Sequence, residues 1–410
     1  MAKENRGQTV SDVPLTRLRA VPTRQVLALP ASPSVQRAAL APVAGLLFLS
    51  GMCALIFQAS WFREFRLVFG ASTAASAAVL AVFMGGLGIG NALLGKWTDR
   101  ARRPLALYAL LELSIALAAA SSPLVIDVLH GLYISMGGQL ALGLPVATAV
   151  RLAISALVLG IPTFLMGGTL PAAVRAVTVC EDHQRRSAAL LYGVNTLGAV
   201  VGTLGSTFFA LEFFGTRRTL WLACLINLSA ALSALALSRY AVRHGSPKSA
   251  QQIAKRAART KTRKTNDQSR PASFPAYIVY GVAGIVGFAF FLMELVWYRM
   301  LCPILGGTTF TFGLILAVAL TGIGLGAAAY AIFFRSAPVS LHALGFTTVL
   351  EACGIAAPFA LSDHLALLAA TFRQANTGHF LAEVGGWAVV ASVVILPAAF
   401  VSGLQFSLLI

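Results

Sequence analysis

Three carboxylic acids sit in strongly apolar surroundings. Glu112 in YALLELSIA, Glu294 in FLMELVWYR and Glu351 in TTVLEACGIA each interrupt a run long enough to cross a bilayer. An ionisable side chain at membrane depth costs roughly 2.5–3.5 kcal/mol on insertion scales, so by default it marks a substrate pathway, a proton relay or a buried partner. Glu112 and Glu351 stand at matching places in the two halves of the chain, which reads as a symmetry-related pair facing the interface between them. Two carboxylates there could hold a cation or pass protons, because opposite charge attracts strongly where water is scarce. The alternative is structural: each carboxyl pairs with an amide or hydroxyl of a neighbouring helix, such as Asn195 or Asn91. Asn195, in LYGVNTLGA, joins the candidates on that ground. Glu294 lies about a turn from Trp297 and Arg299, where an interfacial salt bridge competes with a functional role.

Other chemistry has little support. Cys53, Cys180, Cys224, Cys302 and Cys353 include no closely spaced pair, so neither a disulfide framework nor a metal site is expected. Gly86-Leu-Gly88-Ile-Gly90 lacks the strand that a dinucleotide fingerprint needs before it. Glycines four apart, Gly86 with Gly90 and Gly322 with Gly326, read instead as close helix packing. The expectation is a chain without catalytic residues, cofactor or metal.

The elements that must position these residues are membrane helices. Hydrophobic residues make up 58% of the chain and charged residues 11%, with a mean hydropathy of +0.80. Spans of about 20 apolar residues recur near 39–62, 68–95, 104–126, 148–175, 187–211, 219–238, 275–299, 305–334, 337–361 and 384–410. No short alternating segments suggest a barrel, so the fold class is all-α integral membrane, about ten helices arranged six plus four. Residues 51–90 return, without a gap, as residues 287–326: Gly51 falls on Gly287, Trp61 on Trp297, Arg63 on Arg299 and Gly90 on Gly326. Self-similarity of this length means two copies of one unit. The organisation is then a basic disordered tail (1–38), a six-helix repeat (39–238), a basic linker (239–274) and an incomplete second repeat (275–410). The first apolar run is a full span and is expected to remain as a helix rather than be cleaved as a signal.

Of the 31 Lys and Arg residues, only Arg63, Arg66, Arg151, Arg217, Arg218, Arg299 and Arg373 fall outside if the N-terminus is cytoplasmic. The positive-inside rule therefore favours that orientation, and the two copies, separated by an even number of spans, run parallel. The net charge of +17 reflects this bias and attraction to the lipid bilayer rather than nucleic-acid binding, since the basic linker lacks interleaved aromatics.

Asp99, Arg100, Arg102 and Arg103, after the second span, resemble the loop signature of major facilitator transporters, although the second copy offers only Arg335 there. A charge-paired cytoplasmic turn is the alternative. FLSGMCALIFQASWFREFRLVFGAS, PTFLMGGTLP and LYGVNTLGA resemble the membrane half of bacterial fused spermidine synthase-like proteins, in which a major-facilitator-like bundle precedes an aminopropyltransferase-like domain. The resemblance covers about 40–410. It implies a bacterial inner-membrane location and a transporter-like role, with a polyamine or another cation as substrate. No counterpart of the family's catalytic domain follows up to Ile410, so no enzyme activity is expected. Two alternatives stay open: a membrane anchor for a cytosolic aminopropyltransferase-like partner, or a truncated inactive remnant.

Overall fold

The structure is a computed structural model, which describes residues 33–69, 73–177, 181–244, 276–306, 309–333, 341–375 and 380–409. Most of the basic tail and of the linker, with Gly70, Cys180 and Arg335, lie outside the described residues. The described elements are all helical: α1 (Pro33–Phe69), α2 (Thr73–Arg100), α3 (Pro104–Ser135), α4 (Gly138–Gly167), α5 (Thr169–Val177), α6 (Glu181–Gly205), α7 (Gly215–His244), α8 (Ala276–Leu305), α9 (Thr309–Phe333), α10 (Leu341–Ala360), α11 (Ser362–Ala375) and α12 (Phe380–Leu409). α6 runs on through a π-helical turn, Ser206–Ala210, into a last short turn, Leu211–Phe213. Ten of these stretches are long and apolar enough to span a bilayer. A helix satisfies its own backbone, which hydrocarbon cannot do for it.

Local sequence explains the breaks. Pro104 opens α3 at its first turn, where the missing N–H is no loss. Gly137, with φ of 84°, turns the chain between α3 and α4, a conformation that glycine adopts without strain. The fourth span is longer than expected, Gly138–Val177. It kinks at Gly143, just before Pro145, and breaks again at Gly168 between α4 and α5. α11 corresponds to no expected span.

The two copies build the same helix contact twice. In the first, a methyl group at Gly86 would strike Thr163, one at Gly90 the Phe164 carbonyl, and one at Gly167 the Leu87 carbonyl. In the second, Gly322 meets Ala399, Gly326 the Phe400 carbonyl and Gly403 the Ile323 carbonyl, at the same sequence offset throughout. α2 packs on α4 as α9 packs on α12. The second-copy segment Pro397–Gly403 is thus the residue-by-residue counterpart of Ile161–Gly167, with Gly403 on Gly167. Without a hydrophobic drive between helices in lipid, such backbone approach is the main source of cohesion.

α6 joins the halves. It packs between α1 and α9, with Gly198 and Gly202 against the Phe48 and Met52 carbonyls of α1. On the α9 side, Thr196 abuts Gly324 and Thr207, in the π-helical turn, abuts Gly313. Phe208 stacks on Phe310 at 5.5 Å, and Tyr192 on Phe406 of α12 at 4.3 Å.

Candidate functional site

α1 and α8 are equivalent helices, and α1 reaches the second half through an aromatic ring and a guanidinium. Phe62 of α1 stacks on Phe312 of α9 at 4.1 Å, and Tyr298 of α8 meets the same ring edge-on at 5.7 Å. The Arg66 guanidinium lies 5.5 Å over the Phe62 ring and donates to the Tyr298 hydroxyl at 3.4 Å. These side chains form a cap at the end of the bundle where α1 and α8 finish.

One helical turn before the cap lie Gln58, four residues ahead of Phe62, and Glu294, four ahead of Tyr298. Gln58 is 1% exposed and Glu294 4%. Neither polar atom of the Gln58 amide has a hydrogen-bond partner, and neither has the Oε1 of Glu294. The repeat lays Gln58 on Glu294, so the same depth of the same helix carries an unsatisfied polar group in both halves. Leaving such groups unpaired costs about 1–3 kcal/mol each, a cost that a ligand supplying the missing hydrogen bonds would remove. The amide can donate and accept, whereas an ionised carboxylate only accepts, and attracts a cation. The salt bridge expected between Glu294 and Arg299 does not form: Arg299 is exposed, and the ion pairs among the described residues are Arg63 with Glu212 and Arg217 with Asp127.

Glu112 is fully buried, but not at the interface. α3 packs on α7, α4 and α5 of its own half. The hydroxyls of Ser50 and Tyr108 and the amide of Asn227 are its neighbours. Tyr108, however, gives its proton to the Leu46 carbonyl at 3.1 Å, and Asn227 donates to the backbone carbonyl of Glu112 at 2.8 Å. Both carboxyl oxygens are left without a hydrogen bond of good geometry. Glu351, 6% exposed, neighbours Ser402 and Gln405 of α12 instead. Glu112 therefore turns toward α1 and α7, Glu351 toward the counterpart of α4, and the expectation of a matched pair facing the interface is corrected. The physical reason is register: the constant offset that aligns α1 with α8 and α4 with α12 lays Glu112 on Thr348, three residues short of Glu351. Three residues rotate a side chain by about 300° around a helix.

Asn195 sits on the α1–α6 seam, its backbone carbonyl and side-chain oxygen against Gly51. The amide beside Glu112 is that of Asn227, rather than Asn195 or Asn91. Asp99 lines a recess of about 270 Å³ with Asn91, Gly95, Pro171, Val174 and Arg175, while Arg100, Arg102 and Arg103 are exposed in the turn to α3. Gln58 escapes a search for ionisable residues in spans. The signal that finds it is the repeat itself, once polar as well as charged positions are compared.

No protein-family model matches this sequence, and no curated protein matches it. Among solved structures the chain is similar to the partially occluded inward-open conformation of the xylose transporter XylE from E. coli, with a TM-score of 0.41 and 16% identity, covering 91% of this chain and 92% of that one.

Proposed function

We propose that this chain is a major-facilitator-like transporter of the bacterial inner membrane, N-terminus in the cytoplasm, that carries a small organic cation of the polyamine class. The observation that carries the proposal is the repeat-related pair Gln58 and Glu294, buried and unsatisfied one turn beneath an aromatic cap that joins the halves. Substrate sites of repeat transporters lie near the midplane at the repeat interface. Glu294 would accept the ammonium protons of the cargo and Gln58 would take a second polar contact from the opposite half. Phe62, Tyr298 and Phe312 would exclude water on one side, and rocking of the halves along the α6–α9 seam would expose the pair to the other. The polyamine class comes from the resemblance to the spermidine synthase-like fusions and agrees with a lone carboxyl awaiting a positive partner. Proteoliposomes holding the purified chain should take up labelled putrescine or spermidine at several times the rate of empty vesicles. Uptake no faster than in empty vesicles for either amine would end this reading and favour the anchor for a cytosolic aminopropyltransferase-like partner.

A further inference from the structure

One buried hydroxyl at the seam between the halves has no bond. A threonine within a helix commonly turns its side chain back to a carbonyl of the preceding turn. α6 does this at Thr196, on the Tyr192 carbonyl, and at Thr203, on the Ala199 carbonyl, both at 2.9 Å. Thr207 does not: it is 2% exposed, and its Oγ1 has no hydrogen-bond partner. The cause is local. The π-helical turn Ser206–Ala210 breaks the α-helical register here, and the Thr203 carbonyl, four residues back from Thr207, already accepts from the Ser206 hydroxyl at 3.2 Å. Such turns recur at functional sites.

Thr207 stands at the depth of Gln58 and Glu294. Gly198 and Gly202 of α6 lie against the Phe48 and Met52 carbonyls of α1, so the two helices rise together. Carried on at the same offset, Thr207 comes level with Phe57, next in sequence to Gln58. The repeat gives Glu294 that same depth on α8. On its other side Thr207 meets Gly313 of α9, the residue after Phe312 of the cap, and its hydroxyl lies where a side chain at 313 would stand. Three helices thus carry, at one level, a buried oxygen without a hydrogen bond: Gln58 Oε1, Thr207 Oγ1 and Glu294 Oε1. The Gln58 Nε2 is also unpaired, but as a donor it takes no part in holding a cation.

A primary ammonium has three N–H donors, one for each of these oxygens. We infer that Thr207 belongs to the cation site and that the site selects a primary ammonium group, its protons shared among the Glu294 carboxylate, the Gln58 carbonyl and the Thr207 hydroxyl. This rests on the reading of Gln58 and Glu294 as a cation site. A secondary ammonium leaves one acceptor unmet, and a quaternary ammonium leaves all three. Parting of the α6–α9 seam, the motion that exposes the pair, also frees the hydroxyl from Gly313.

The test is displacement of labelled putrescine from the purified full chain by unlabelled putrescine and by N,N′-dimethylputrescine, which has the same charge and chain but two N–H donors at each end. Wild type should prefer putrescine by about ten-fold, the worth of one hydrogen bond to a charged group. Thr207→Val keeps the side chain's size and removes its hydroxyl, so crowding by the added methyl persists while the preference falls to about two-fold or less. Thr207→Ser and Thr203→Val should keep it. Thr207→Val should also melt no lower than the wild type, because no bond within the protein is lost; a lower melting temperature would overturn the inference by showing the hydroxyl to be paired. An undiminished preference in Thr207→Val, or none in the wild type, would overturn it and leave the cation site standing. A wild-type chain that binds no putrescine would overturn the cation site itself, and this inference with it.

Discussion

Gln58 on α1 and Glu294 on α8 occupy one place in two copies of a repeat, and both are buried without a full set of hydrogen bonds. The rings one turn further on, Phe62 and Tyr298, converge on a single partner, Phe312. The contacts that cross between the halves, Phe62 with Phe312 and Arg66 with Tyr298, lie one to two turns beyond the unsatisfied groups, whereas Glu112 and Glu351 have their polar neighbours within their own halves.

That contrast predicts how the buried carboxyls differ. Glu112→Gln keeps shape and hydrogen-bonding capacity and should leave amine uptake within about two-fold of wild type, and Glu351→Gln likewise. Asn227→Leu should instead lower stability by about 0.6 kcal/mol and at most about 1.7 kcal/mol, the range for one interhelical hydrogen bond in lipid, because it removes the 2.8 Å bond to the Glu112 carbonyl. Thermal unfolding in detergent, with uptake assayed on the same preparations, measures both.

Glycine contacts predict a positional pattern. Gly90→Leu and Gly326→Leu place a side chain on the Phe164 and Phe400 carbonyls, and such overpacking costs roughly 1–3 kcal/mol. Gly193→Leu, where nothing lies within 4 Å, should cost far less. The yield of monodisperse protein and its melting temperature should separate the first two from the third.

Much of this was legible in the sequence, and the reasons for the rest are specific. Ten spans follow from apolar length, which is what the bilayer selects, and the breaks at Gly137 and Gly168 follow glycine. α11 is missed because its 14 residues, with Asp363, His364 and Arg373, are too short and too polar for a span. The pairing of Glu112 with Glu351 fails because α3 and α10 carry no tryptophan and share no glycine at a common register (Gly131 in one, Gly345 and Gly354 in the other), so two similar-looking glutamates suggest an alignment that the flanking helices contradict. Gln58 is overlooked because it is uncharged, although the repeat places it on Glu294. Glu112's partner amide, Asn227, is 115 residues away, a separation across which no local pattern points.

The aromatic cap predicts a measurable coupling. Stacked pairs contribute about 0.5–1.5 kcal/mol beyond their burial, so a double-mutant cycle of Phe62→Leu and Phe312→Leu should return an interaction energy in that range. Additive effects of the two changes would mean that the rings do not hold the halves together in the membrane.

Orientation is tested by reporter fusions. With the N-terminus cytoplasmic, a reporter joined after Gly137, in the turn between α3 and α4, should be active outside, and one joined after Lys261 should be active in the cytoplasm. A cytoplasmic signal at Gly137 would reverse the account's topology.

The most direct measurement of the central claim is the initial rate of labelled putrescine and spermidine uptake by proteoliposomes of wild type, Glu294→Gln and Gln58→Leu, at equal protein content and after each variant has been shown to elute as a folded monodisperse species. The account predicts at least a ten-fold loss for Glu294→Gln, because the group that meets the ammonium loses its negative charge, and a smaller loss for Gln58→Leu, because one polar contact goes while the carboxyl remains. Uptake by a folded Glu294→Gln protein at the wild-type rate would contradict it.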